Sequence, residues 1–345
     1  MEDLPFVFHY KAYEIPLTQA IWLGKVQSTQ RPILHLRLEI AGKGFVFSEV
    51  APLAELGSET MDAALSFCKS FSGKEHTLKT LLPRLSGLPS CQLALESALH
   101  QAIKPLDNTA QAPQASFETA ALLFPNSKTL HELEDLLKQG FKTFKLKVGI
   151  LSFKEEKNMI EAILRYLKPI GGSLRLDANG RFSIESSKYY LDFLDNAPIE
   201  FLEQPLAPGQ EDPMLALAAQ YRTLIAWDES VTSLEGISAA AAKGFQGIYV
   251  VKPSLLGSLS QFLSWRTTNP QTTIVYSSAF ESSLGIDLIL SLAASPSQGL
   301  PLLPLGLGTL AYYKPSPLLW HSFGPRLVYN PDFTQHRSAL LWDQS

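Results

Sequence analysis

The chain has 345 residues, 29 basic against 33 acidic side chains, a net charge of −4 and 46% hydrophobic residues. That length allows two domains, or one large barrel with an accessory domain, and buries enough surface to fold without a disulfide or metal staple. The weak negative balance gives no electrostatic reason to bind nucleic acid or an anionic membrane, and no run approaches the ~18 uncharged apolar residues of a membrane span. Cys68 and Cys91 are too few for a disulfide framework and suit a reducing cytosol. The start, MEDLPFVFHYK, carries acidic residues where a signal peptide wants basic ones, so a cytoplasmic protein is expected, its oligomeric state open. All seven histidines lie outside residues 132–320. A histidine-ligated zinc or a Ser-His-Asp triad built within that block is excluded.

In chain order, Phe6 to Ile15 reads as a strand. The segment Pro32 to Ile40 alternates cleanly, with Leu34, Leu36, Leu38 and Ile40 on one face, the mark of a half-buried antiparallel strand. Gly42-Lys-Gly44 is a turn into a third strand, Phe45 to Val50, and helical patterns cover 60–71 and 90–103. Residues 1 to about 110 thus read as a small α+β unit, closed by a polar linker from Asp107 to Gln114. From 116 the texture changes. Apolar runs at 117–123, 143–148, 173–177, 199–203, 223–227, 247–251, 272–276 and 302–305 alternate with helical patterns, such as Ile160, Ile163, Leu164 and Leu167. Strand–helix alternation implies βαβ units and a parallel sheet. About eight strands in roughly 200 residues favour a closed (β/α) barrel, with an open doubly wound sheet as the alternative. The proline-rich stretch from Pro301 to Pro317 fits neither element, and its expected course is back to the first domain.

The informative feature is what ends these runs. Ser173 to Asp177 ends in Asp177, Ile199 to Glu203 in Glu203, Leu224 to Asp228 in Asp228, and Ile248 to Lys252 in Lys252. The four lie at intervals of 26, 25 and 24 residues, one βα unit each time, so they recur at equivalent places on successive strands. In a barrel those C-terminal strand ends form the active-site face. Three carboxylates converging there repel, and a divalent cation resolves the conflict. All-oxygen ligands point to Mg²⁺, with Mn²⁺ or Ca²⁺ as alternatives. Glu200 and Glu229 are rival ligands, each out of phase with the inward residue beside it. On the earlier strand Lys145 and Lys147 share a face while Phe144, Leu146 and Val148 point the other way. Two inward lysines disfavour each other's protonation, so at least one is expected to fall toward a useful range and act as a base where histidine is absent.

This set resembles the enolase superfamily, and within it the o-succinylbenzoate synthases of menaquinone biosynthesis. The residues that carry the resemblance are Phe144-Lys-Leu-Lys147, Leu176-Asp-Ala-Asn-Gly180, Glu200-Phe-Leu-Glu-Gln-Pro205, Asp228-Glu-Ser230, Val251-Lys-Pro253 and Ser277 to Gly285. In the first unit, Ser48-Glu-Val-Ala-Pro-Leu53 with Ser58-Glu-Thr60 is similar to the family's cap loop, although Ser48 stands where the family often has glycine. The other cap loop, near Thr18 to Lys25, shows no match. The resemblance implies an α/β protein: a modified (β/α)₇β barrel over 113–310 beneath an α+β capping domain, 1–112, completed by 311–345. It implies Asp177, Glu203 and Asp228 as Mg²⁺ ligands, Mn²⁺ being possible, and Lys147 as the base that removes a proton α to a carboxylate. Lys145 would tune Lys147, and Lys252 would hold positive charge near the enediolate. Asn179 would sit by metal and substrate, and Ser277 and Ser278 would line the succinyl side. The implied reaction is syn loss of water from a small-molecule carboxylate. The rival within the superfamily is an N-acylamino acid racemase or dipeptide epimerase using Lys147 and Lys252 as two acid/base groups. A non-catalytic carboxylate-binding barrel is the alternative of another class.

Overall fold

In the computed structural model, residues 1–23, 26–103, 115–295 and 302–344 are described. Strands β1 (Phe6–Leu23), β2 (Val26–Ile40) and β3 (Gly44–Val50) form an antiparallel sheet, with β4 (Glu75–His76) beside β1 in the order β3-β2-β1-β4. Both long strands outrun the expected segments, and β1 carries a register shift between Pro16 and Ile21. Leu34, Leu36, Leu38 and Ile40 are buried on one face, as their alternation requires. They pack against the helices α1 (Met61–Phe71), α2 (Leu78–Leu81) and α3 (Pro89–Ile103), where Phe67, Leu81 and Leu95 complete the core. The Asp107 to Gln114 linker lies outside the described residues.

The apolar run at 117–123 divides between two strands. Strand β5 (Ala115–Glu118) pairs antiparallel with the later strand at Arg326–Tyr329, whereas β6 (Ala120–Leu123) enters the parallel sheet. From there strands and helices alternate: α4 (Thr129–Lys138), β7 (Thr143–Lys147), α5 (Phe153–Leu167), β8 (Ser173–Asp177), α6 (Ile184–Leu194), β9 (Ile199–Glu203), α7 (Glu211–Gln220), β10 (Ile225–Trp227), α8 (Leu234–Ala242), β11 (Ile248–Val251), α9 (Leu259–Thr268), β12 (Thr273–Tyr276) and α10 (Ser283–Ala294). Serine starts many of these helices. Ser152 forms a capping box with Glu155, and Ser183, Ser233, Ser258 and Ser282 each accept a first-turn N–H, a contact worth about 1 kcal/mol.

Strands β6 to β12 form one parallel sheet in sequence order. The eighth run is shorter than expected. Among the described residues, Leu305 and Gly306 alone bridge the open edges, Leu305 beside Thr119 and Gly306 beside Ser277. Their N–H groups donate to Glu118 O and Tyr276 O, each at 2.8 Å, and so curl the sheet into a modified barrel. Gly306 is required there, because a Cβ would stand 2.9 Å from Ser277 Oγ. Residues 308–312 (a short 3₁₀ turn) follow, then β13 (Arg326–Tyr329) and α11 (Pro331–Gln344). Helix α11 packs Trp342 against Phe47 of β3 and Leu284 of α10, so the chain end touches both the N-terminal sheet and the barrel.

The pleat sorts the barrel strands into two faces. Phe144, Leu146 and Val148 point to the helices in the main core with Ile160, Ile163 and Leu191. Phe201, Ala226, Ile248, Val250 and Val275 form a separate small core inside the barrel. The residues continuing that inner face at the strand ends are the charged ones.

Candidate active site

Parallel register sets Lys147 beside Asp177 and Asp177 beside Glu203, at one level of the barrel. Asp228 and Lys252 follow the ends of β10 and β11. With residues 305–306 counted as the eighth stave, β7 and β11 stand four staves apart either way round. Lys147 and Lys252 therefore face each other across the mouth. A cavity of about 320 Å³ opens there, lined by Lys145, Lys147, Asn179, Glu203, Asp228, Lys252, Ser277 and Ser278. Asp177 lies beneath the first two lysines, fully buried. The remaining walls are largely apolar: Leu53 and Leu56 from the N-terminal unit, Leu122, Val250 and Val275 from the strands, Phe124 just after β6, and Phe280 with Tyr312 at the rim.

The carboxylates are met by ammonium groups. Lys145 Nζ lies 2.8 Å from Asp177 Oδ2 and 2.9 Å from Glu203 Oε1. Lys147 Nζ donates to the same Asp177 oxygen and to Asn179 Oδ1, both at 2.7 Å. Lys252 pairs with Asp228. Asn179 N–H donates to Asp177 Oδ1 at 3.0 Å, and its amide donates to Glu229 Oε1 at 2.9 Å.

The field of this cluster sets the charge on Lys145. Burial pushes the Lys145 ammonium down, but the charges of Asp177, Glu203 and Asp228 outweigh it and hold it well above the ordinary lysine value. The mutual repulsion of two lysines is therefore not what decides Lys145. Lys252 is raised too: burial opposes its charge, and Asp228 and Glu229 overcome that. Asp177 is held far below the carboxylate range, its burial outweighed by Lys145 and Lys147. Glu203 goes the other way, pushed up to about 8 by burial and by the charge of Asp177.

That contrast bears on a cation. With all four carboxyls ionised, Asp177, Glu203, Asp228 and Glu229 exceed the three ammonium groups of Lys145, Lys147 and Lys252 by one negative charge. Hard oxygen donors with that excess fit a divalent ion such as Mg²⁺, which turns the balance to one positive charge and suits a carboxylate substrate. As the side chains stand, Lys145 wedges between Asp177 and Glu203, and among the described residues no three His, Cys, Asp or Glu side chains are spaced to hold a metal.

Sequence reasoning set aside or passed over several residues of the site. Glu229 lines the cavity although strand alternation turns it away, because residues 229–231 already form a 3₁₀ turn where the period of two no longer applies. Its Oε2 is buried without a hydrogen-bond partner. Glu200 is extra in the ladder: Leu174 pairs with Ile199 and Arg175 with Phe201, so a bulge brings its carboxylate onto Arg175 Nε. Arg175 itself is buried, lies 4.9 Å from the Phe201 ring, lines the cavity and keeps Nη2 without a partner. Gln204, at φ +38°, accepts the Asp228 N–H at 2.9 Å and donates to Ser230 Oγ at 2.8 Å, which fixes the Asp228 turn. Glu156 accepts three N–H groups, from Gly149, Ile150 and Leu151, and so holds the loop after Lys147. Ser277 and Ser278 do line the cavity, but their hydroxyls donate to Gly306 O at 3.0 Å and Glu281 Oε2 at 2.6 Å.

Comparison with known proteins agrees with this geometry. Residues 128–298 match the family described as enolase C-terminal domain-like. An o-succinylbenzoate synthase of Thermosynechococcus vestitus is 33% identical over 284 residues, 80% of this chain and 85% of that one. The chain belongs to the enolase superfamily. An o-succinylbenzoate synthase of Yersinia pseudotuberculosis is 29% identical over 290 residues, covering 82% of this chain and 84% of the other. The crystal structure of an o-succinylbenzoate synthase from Thermosynechococcus elongatus BP-1, complexed with Mg in its active site, superposes with a TM-score of 0.81 at 29% identity over 98% of this chain and 100% of that one. The L-Ala-D/L-Glu epimerase of Bacillus subtilis shares the superfamily fold, with a TM-score of 0.74 at 19% identity over 94% and 95% of the two chains. In this superfamily member the charged residues stand at the strand ends of a curled parallel sheet, beside an N-terminal antiparallel sheet. No helix among the described residues is long and apolar enough to cross a membrane.

Proposed function

We propose that the protein is an o-succinylbenzoate synthase, a dehydratase acting in the cytoplasm on a succinyl-substituted hydroxycyclohexadiene carboxylate. The observation that carries this reading is the pair Lys147 and Lys252 facing each other across the cavity, on a chain whose 33% identical relative is such a synthase. The site would be formed by a barrel over 113–310, with a cap of 1–112 completed by 311–345.

Asp177, Glu203 and Asp228 would hold Mg²⁺, or Mn²⁺ in its place, at the inner face of the strand ends. When bound, the ion supplies Lewis acidity that stabilises negative charge on the substrate carboxylate. Lys147, in its neutral form, takes the proton from the ring carbon next to that carboxylate. The electron pair of the broken C–H bond forms the new ring double bond, and the adjacent C–O bond breaks on the same face. Lys147 returns the proton to the departing hydroxide, so one water leaves, the ring becomes aromatic and the lysine is ready again. Asn179, bonded to Lys147 Nζ, orients it, and Lys145 tunes it through their shared Asp177 oxygen. Lys252, buried and paired with Asp228, keeps a fixed positive charge opposite the base. Ser277 and Ser278 shape the succinyl side as walls.

Dehydration asks of Lys252 only a fixed charge, whereas racemisation needs that lysine to give and take a proton. The deciding experiment supplies purified protein and Mg²⁺ with the cyclohexadiene substrate and follows the aromatic product by absorbance. Turnover supports the synthase. Silence there, with racemisation of an N-acylamino acid or a dipeptide, overturns it, and binding of carboxylates without either reaction favours a non-catalytic barrel.

A further inference from the structure

The N-terminal sheet reaches the cavity through a buried charge that the chemistry above does not use. Arg31, on β2, is only 1% exposed. Its guanidinium donates to four backbone carbonyls: Nη1 to Pro52 O at 2.8 Å and Pro32 O at 3.3 Å, Nη2 to Ala279 O at 3.1 Å, and Nε to Phe280 O at 3.0 Å. One side chain thus ties its own strand, the loop leading to Leu53 and the turn after β12. Leu53 and Phe280 both line the cavity.

Phe280 sits at φ +62°, a left-handed conformation that bulky side chains rarely adopt. Such strain persists only where the surroundings over-determine it. Here they do, from two sides. Below, the Glu281 carboxylate accepts from Ala279 N at 2.7 Å and Ser278 Oγ at 2.6 Å, and Ser278 Oγ accepts from Phe280 N at 2.9 Å. Above, Arg31 takes the two carbonyls of the same turn. The Phe280 ring so held meets Tyr312 edge-on, their centroids 5.7 Å apart.

We propose that Arg31 is a positioning residue for substrate recognition: it holds the strained Phe280 turn and the Leu53 loop at one separation, and so sets the apolar wall against which the substrate binds. The proposal rests on the functional reading above for its substrate. Arg31 touches neither Lys147 nor Lys252, so its influence falls on binding and not on proton transfer. Lysine is a poor replacement, because one ammonium cannot span carbonyls on three segments as the planar fork does.

Steady-state kinetics on the full chain with Mg²⁺ test this, using Arg31→Met, Arg31→Lys and Phe280→Gly. In Arg31→Met, KM should rise about tenfold with kcat within about threefold, and Arg31→Lys should fall between it and the wild type. Phe280→Gly removes both ring and strain and leaves Arg31 only the Leu53 loop to hold, so in that background Arg31→Met should raise KM by less than about fivefold. An unchanged KM in folded Arg31→Met, or independent multiplication of the two effects, overturns the proposal. A purely structural role lowers thermal stability and leaves the KM of the folded protein alone. Hydrogen exchange provides a substrate-free arm that Arg31→Lys can carry if Arg31→Met does not fold. The Ala279 and Phe280 amides should exchange about tenfold faster while those of β11 do not change, and equal changes in both places sink the idea. Wild-type protein is assayed first. If it racemises an acylamino acid and leaves the cyclohexadiene intact, the functional reading fails by itself, and the Arg31 series is read with the acylamino acid.

Discussion

Replacing Lys252 with methionine separates the charge of that residue from its packing, since methionine keeps a similar length and an apolar stem. Lys252 and Asp228 are buried, their side chains 10% and 8% exposed, and the pair stands next to Glu229. Without the ammonium, the cluster holds four carboxylates against two ammonium groups. Breaking a buried pair from one side costs about 3–5 kcal/mol, and in domains of 150–250 residues each kcal/mol moves the melting temperature about 2–4 °C. In chelator, Lys252→Met should therefore melt roughly 6–20 °C below wild type. Mg²⁺ binds the folded cluster only, so it should recover more of the loss in the variant, whose negative excess is larger. Asp228→Asn added to Lys252→Met removes the orphaned charge and should restore most of the stability even in chelator. The assay is a thermal melt across a magnesium titration, and it needs no turnover. The reasoning is refuted if Lys252→Met melts with the wild type in chelator, or if Mg²⁺ raises both midpoints equally.

Glu203 adds a pH test. Burial and Asp177 raise its folded value to about 8 from 4.5, so the folded state keeps a proton that the unfolded chain has lost between those values. Stability in chelator should fall as pH rises through that window, and Glu203→Gln should flatten the slope of melting temperature against pH. An unchanged slope in the variant counts against it. Lys147→Ala should lower kcat by about 10³-fold and abolish solvent deuterium exchange into substrate, measured by mass spectrometry; exchange that persists moves the base elsewhere. Glu49 accepts from Ser282 N at 2.9 Å and from Ser282 Oγ, joining β3 to the start of α10. Glu49→Ala should cost about 1–3 kcal/mol for each donor left buried, read by chemical denaturation, with kcat nearly unchanged. A loss below about 0.5 kcal/mol would show that the groups find other partners.

Much of the fold and half of the site were legible because their signals are local. A period of two places Lys145 with Lys147, and Leu34 with Leu36, on common faces whatever else the chain does. One residue ending each βα unit at steady spacing marks Asp177, Glu203, Asp228 and Lys252, because parallel strands with similar connections end at one level. The family resemblance rests on those same positions.

What tertiary structure decided is whatever depends on partners far along the chain. Whether Lys145 loses or gains its proton is set by three carboxylates from other strands, against which the neighbouring lysine counts for little. The eighth stave shrank to Leu305 and Gly306 because closure needs only a few hydrogen bonds between edges already brought close. Glu200 and Glu229 reached unexpected partners through a bulge and a 3₁₀ turn, both breaks in the period that sequence reading assumes. Arg31 shows no local pattern at all, since its carbonyl partners Ala279 and Phe280 lie 248 and 249 residues away. Sequence periodicity determines which way a side chain points from its own strand. Only the closed barrel and the sheet above it determine what that side chain meets, because charge and hydrogen bonding act through distance in space and not through distance along the chain.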